Sequence, residues 1–127
     1  MPIIKIWGLL PRTKHEHLIA LIRSINEIIV NIKPLKLGED DISFFFPSDC
    51  FPLSLGGELV VEICGLFKKP ERTNEVKAEL TKKILKAVIS FAGENVPDCR
   101  KVEVFITEID PDESGYAIVV FVSPKRR

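Results

Sequence analysis

The residue with the most chemistry to offer is the second. In the opening stretch MPIIKIWGLLPR, Pro2 follows the initiator methionine and begins a β-strand, a place where proline is tolerated. Removal of Met1 leaves Pro2 as a secondary amine fixed at the edge of a sheet, a candidate general base. With Met1 attached, the same nitrogen is an amide and carries no basic lone pair. The other reactive side chains lack companions. His15 and His17 stand two apart on a helix and face different ways, so they make a poor metal pair. Asp110, Asp112 and Glu113 crowd the stretch EIDPDESGY without calcium-loop spacing and read as a solvated turn. Cys50, Cys64 and Cys99 are far apart, with no C-x-x-C. That pattern argues against a disulfide or zinc framework and suits a reducing cytoplasm. No metal site is expected.

A chain of 127 residues, 46% hydrophobic and 28% charged, is expected to make one domain, residues 1–127, with enough apolar mass for a core. Basic and acidic residues balance at 18 each, which leaves no electrostatic footprint for nucleic acid. Lys125-Arg126-Arg127 is too short a run to change this and reads as a solvated tail. The sequence shows neither a signal peptide nor an apolar run long enough for a membrane span. A cytoplasmic protein without a membrane partner is expected.

Strands and helices alternate. Pro2 to Leu10 is rich in β-branched and aromatic residues and reads as a strand. From about Lys14 to Ile32, Leu18, Leu21, Ile22, Ile25, Ile28, Ile29 and Ile32 recur every three or four positions, one face of a helix. Thr13 and Glu16 have capping-box spacing at its start, and Pro34 marks its end. DISFFFP then supplies a second strand with Ile42, Phe44 and Phe46 on one face. This is one βαβ unit, for which parallel strands and a right-handed crossover are expected.

The pattern then repeats. Glu58 to Phe67 echoes the first strand, with EICGL laid over KIWGL. A second helix from about Thr73 to Phe91 carries Val76, Leu80, Ile84, Val88 and Phe91 on one face. Arg100 to Ile109 forms another strand, with Val102, Val104 and Ile106 in the places of Ile42, Phe44 and Phe46. The chain thus divides into pseudo-repeats 2–57 and 58–118, each a unit that cannot bury its apolar face alone. The fold class is α+β: a four-stranded mixed sheet with both helices on one side. Tyr116 to Val122 reads as a fifth strand, opening a C-terminal segment 116–127.

The other face of that sheet would carry Ile3, Trp7, Phe45, Val60, Cys64 and Phe105, with Lys5, Ser43, Glu62 and Glu103 between them. So much apolar surface needs a cover, and with no third layer left in the chain the expected cover is another copy. Lys5 and Glu62 occupy equivalent repeat positions with opposite charge, which suggests an ion pair within the sheet.

Two tandem βαβ units behind an N-terminal Pro2 resemble the tautomerase superfamily, which includes 4-oxalocrotonate tautomerase and macrophage migration inhibitory factor. The resemblance spans about residues 2 to 118. Pro2, the pair Pro11-Arg12 and the pair Lys33-Pro34 fall at the distances of the latter, and Arg12 also falls on an arginine of the former. FPLSLGGEL, Phe51 to Leu59, is similar to the F-x-x-GGEL segment of the short tautomerase with one residue inserted, and KVEVFITEI is similar to its second strand. The order GGELVVEICGLF followed by a long helix looks most like a bacterial branch without an assigned activity.

The resemblance implies homotrimers of such double units, with active sites between subunits around the N-terminal proline. An ordinary α-amine titrates at about 7.7–8.0, and an apolar pocket lowers that value by disfavouring the charged form. Ile3, Ile4, Trp7 and Phe51 would supply such surroundings. Arg12 and Lys33 would hold a substrate carboxylate or steady an enolate oxygen. The reaction implied is keto–enol or double-bond tautomerisation of a small 2-oxo acid, without metal or cofactor. One position departs from the family. Glu103 stands where 4-oxalocrotonate tautomerase has a substrate-binding arginine and the migration inhibitory factor a tyrosine, and a carboxylate there repels an anionic substrate. The alternative reading is therefore a catalytically inactive trimer of the same fold, serving as a binding or structural module.

Overall fold

The computed structural model describes residues 2–47, 57–113 and 115–121. The expectations for Met1, Cys50, Phe51 and Lys125-Arg126-Arg127 lie outside the described residues. In chain order the elements are β1 (Ile3–Trp7), α1 (His15–Asn31), β2 (Ser43–Phe45), β3 (Glu58–Phe67), α2 (Asn74–Asn95) and β4 (Lys101–Ile109). Two short 3-10 turns, Lys33–Leu35 and Glu39–Asp41, lead from α1 to β2.

The sheet runs β2-β1-β3-β4. β1 is parallel to β2 and β3 to β4, while β1 and β3 meet antiparallel at the centre. Each repeat is thus a parallel pair with its helix as crossover, and the two repeats join edge to edge into the mixed sheet. In the central ladder Lys5 stands directly opposite Glu62, so the equivalent residues of the two halves are each other's partners. Their charged ends do not come within ion-pair distance among the described residues, so the expected pair is one of register and not of contact. Gly8 and Gly65, also equivalent, both have left-handed backbones, with φ of 96° and 75°. The two halves thus match in backbone conformation at this position as well as in strand pattern.

Alternation along the strands sends one set of side chains under the helices. Ile4 and Ile6 of β1 and Leu59, Val61 and Ile63 of β3 are buried, and they meet Leu21, Ile25 and Ile29 of α1 and Leu80, Ile84 and Val88 of α2. Phe44, Phe46, Val102, Val104 and Ile106, on or beside the outer strands, pack against the same core half-buried.

The helix boundaries shift for local reasons. Thr13 does not cap α1; its hydroxyl donates to the Leu10 carbonyl at 2.7 Å, and Lys14 becomes the N-cap. A threonine that can bond backward in a turn is lost to the helix. α2 is capped as its sequence suggests, the Val76 N–H donating to the Thr73 hydroxyl at 3.3 Å. It continues past Phe91 to Asn95, because buried Ala92 and Val96 extend its apolar stripe beyond Gly93 until Pro97 forbids a further turn.

Among the described residues no fifth strand joins the chain's sheet. Tyr116 packs edge-on against Phe67, with ring centroids 4.9 Å apart, and Ile118 to Phe121 find no strand partner and stay exposed. The sheet face away from the helices is likewise open: Trp7, Phe45 and Phe105 are exposed on it.

The core makes a paired prediction for denaturant unfolding. Ile84 is fully buried and Ile89, on the same helix, is 52% exposed. Ile84→Ala should cost about 2–5 kcal/mol, and Ile89→Ala within about 0.5 kcal/mol of nothing. Equal losses would show that the helix packs through a different face.

Candidate active site

Because β1 and β3 are antiparallel, the start of β1 lies beside the end of β3. Pro2 is buried there, and its carbonyl accepts the Ser43 N–H at 3.2 Å, which ties it to the start of β2. Pro2 forms one side of a cavity of about 220 Å³. The chain after α1 supplies one wall with Lys36, Leu37 and Asp41, whose carboxylate accepts the Gly38 N–H at 2.8 Å. The end of β3 supplies the other with Gly65, Phe67, Lys69 and Arg72. Gly65 sits at a β-bulge, where the ladder to β4 slips between Cys64 and Leu66.

Arg72 is 6% exposed. One terminal nitrogen, Nη1, donates to the Phe67 carbonyl at 2.7 Å, and the other, Nη2, to the Leu35 carbonyl at 2.7 Å. Its Nε is buried without a partner among the described residues. Burial pulls the guanidinium below its ordinary value, and the nearby carboxylates of Glu71 and Glu108 oppose that pull. Lys36, on the rim, has its Nζ 3.7 Å from a Glu71 oxygen. Three cationic residues and one carboxylate therefore surround Pro2. A basic rim of this kind attracts anions, and cations combined with burial disfavour protonation of an amine among them.

The sequence-chosen residues distribute unevenly about this cavity. Pro2 is part of it. Lys33 is exposed on the 3-10 turn at the same end of the sheet, turned outward because Leu35 takes the buried side of that turn. Lys36, three residues on, lines the cavity instead. Arg12 is exposed in the turn beyond the far end of β1. Glu103 is exposed on β4 opposite Val60, which in turn faces Trp7, so it too belongs to the far end. Within one chain, Pro2 is not brought together with Arg12 or Glu103. Sequence reasoning missed Lys36, Asp41, Lys69 and Arg72. The available signal was topological: in a doubled βαβ unit the loop LKLGED and the loop KKPERT must arrive at the same end of the sheet as Pro2.

A larger groove of about 450 Å³ lies at the C-terminal end of α2, between Ile89, Val96 and Lys101, but it sits at the start of β4, the end of the sheet away from Pro2. Cys64, on the open sheet face, contacts the Glu62 carboxylate at 3.6 Å. Burial first, and then that carboxylate, push its thiol up, with Lys5 opposing, so it makes a poor nucleophile. No helix among the described residues is long and apolar enough to cross a membrane.

No family model and no curated protein sequence matches the chain. Solved structures do, and they have the tautomerase-superfamily fold. A 5-carboxymethyl-2-hydroxymuconate delta-isomerase superposes with a TM-score of 0.70 at 12% identity, over 95% of this chain and 89% of that one. N1, a member of the cis-3-chloroacrylic acid dehalogenase family, gives 0.67 at 14% identity over 98% and 86%. A fused 4-OT in a symmetric trimer gives 0.65 at 17% identity over 91% of each chain. At these identities the likeness is one of fold: two tandem βαβ units, one mixed sheet, two helices on one face.

The bulge beside Pro2 is testable by itself. Gly65→Ala places a side chain at a φ of 75° and should cost about 1–2 kcal/mol, read as a lowered Tm. An unchanged Tm would mean that the left-handed bulge is not required.

Proposed function

We propose that the chain is a tautomerase-type isomerase in which Pro2, freed of Met1, is the general base on a small 2-oxo or enol acid. One observation carries this reading: Pro2 is buried against a cavity lined by Lys36 and Lys69 at its rim and by buried Arg72. A neutral amine there takes a proton from the carbon beside the substrate's carbonyl, the pair from the broken C–H bond delocalises onto the carbonyl oxygen as an enolate, and the ammonium returns the proton at the new position. The cations favour both the substrate carboxylate and the enolate. No redox partner is needed, since the product is an isomer.

The assembly we propose is a homotrimer that covers the open sheet face and gives Ile118 to Phe121 a neighbour's strand edge to pair with. In it, Arg12, Lys33, Phe51 and Glu103 complete the substrate site, with Arg12 and Glu103 entering from a neighbouring copy. The cysteine pattern fits a reducing cytoplasm. One observation favours the other reading, an inactive trimeric binding module: Glu103 brings a carboxylate where an anionic substrate would need a cation.

Activity profiling over a panel of enol and 2-oxo acids tests the reading, on protein whose intact mass shows Met1 removed. Pro2→Ala should abolish turnover, Lys36→Gln and Lys69→Gln should each lower kcat/KM about 10–100-fold, and Glu103→Gln should tighten anionic substrates. Retention of Met1 in the native host, or full activity in Pro2→Ala, would overturn the enzyme reading in favour of the module. Light scattering should give three times the 14.3 kDa of one chain, and the single-chain mass at micromolar concentration would refute the trimer.

A further inference from the structure

Lys36 is the one non-glycine residue with positive φ among the described residues, at 54°. A lysine gains nothing from a left-handed backbone, so the surroundings must impose it. Its N–H closes the preceding 3-10 turn onto the Lys33 carbonyl at 3.1 Å. The last residue of that turn is Leu35, fully buried, whose carbonyl is held by Arg72 Nη2 at 2.7 Å. The other end of the same guanidinium holds the Phe67 carbonyl. Leu35 directly precedes one wall of the Pro2 cavity, and Phe67 is part of the other. Arg72 thus commits one N–H of each terminal nitrogen to backbone at or beside the two walls, and its Nε is buried, so what it keeps toward the cavity is the second N–H of each terminal nitrogen and its charge.

We propose that Arg72 is a positioning residue of the Pro2 cavity: its fork sets the spacing of the two walls and holds Lys36 in the left-handed conformation that puts it on the rim, where Lys36 and Lys69 take the carboxylate of a 2-oxo acid. This rests on reading the cavity as an acid-binding site, and it divides the three cations into one that shapes the site and two that meet the ligand. The choice of arginine follows from geometry. A planar fork bonds two carbonyls from different elements at a fixed angle, which the single ammonium of a lysine does not.

The test measures binding, and so does not depend on turnover. Titration calorimetry on the full chain uses 2-oxopentanoate as the probe. The unaltered chain should bind it, and Arg72→Lys, which keeps the charge but loses the fork, should weaken binding about tenfold. Lys36→Gln should weaken it similarly. Arg72→Lys placed on the Lys36→Gln background should then add less than about twofold, because the arginine acts through the lysine. Pro34→Gly, an exposed change that loosens the same turn without touching Arg72, should weaken binding about threefold, and it decides the matter if Arg72→Lys fails to fold by circular dichroism. Unaltered affinity in Arg72→Lys or in Pro34→Gly, fully multiplicative losses in the double variant, or no binding by the unaltered chain would each overturn the proposal. Binding that follows the expected pattern in a chain that turns over no acid supports the clamp while removing the general-base reading of Pro2.

Discussion

The antiparallel meeting of β1 and β3 is the constraint on which everything else rests. Each βαβ unit has one apolar sheet face and one apolar helix stripe, and neither unit alone has enough partner surface to bury both. Joining them at the β1–β3 edge makes Ile4, Ile6, Leu59, Val61 and Ile63 the floor of one continuous core. The direction of that joint also fixes which loops share an end. The loop after α1 and the loop after β3 arrive at the Pro2 end, whereas the turn carrying Arg12 and the start of β4 go to the other.

That second consequence explains what could and could not be read from the residues alone. The alternation in KIWGL and EICGL, the helical spacing from Leu18 to Ile32, and the inward set Val102, Val104 and Ile106 are local patterns, and they gave the strands, the helices and their buried faces. Cap chemistry was less legible, because Thr13 had two available partners and the turn won. Tyr116 to Phe121 has the composition of a strand but pairs with neither edge of its own sheet, β2 or β4, and composition cannot choose a partner edge. Arg72 was the least legible residue of the site. In KKPERTN it looks like one more surface cation, and only the approach of Leu35 from the other repeat buries it.

The cavity shows how a small sheet protein builds a charged recess with little polar core. Arg72 is the only charged side chain buried among the described residues, and two backbone carbonyls satisfy its terminal nitrogens. A guanidinium suits that place because its charge is delocalised and its donors are many. The remaining charges, Lys36, Lys69 and Asp41, stay at the solvent rim, where holding them costs little.

Gly8 and Gly65 give the two ends of the sheet matching left-handed backbones, yet the two ends are not interchangeable. The position equivalent to Pro2 in the second repeat is Leu59, which is fully buried and in mid-chain. Its nitrogen belongs to a peptide bond whatever happens at Met1. Two βαβ units in one polypeptide therefore share a single N-terminus, and only the first can present a terminal amine. At this position the second repeat answers to packing alone.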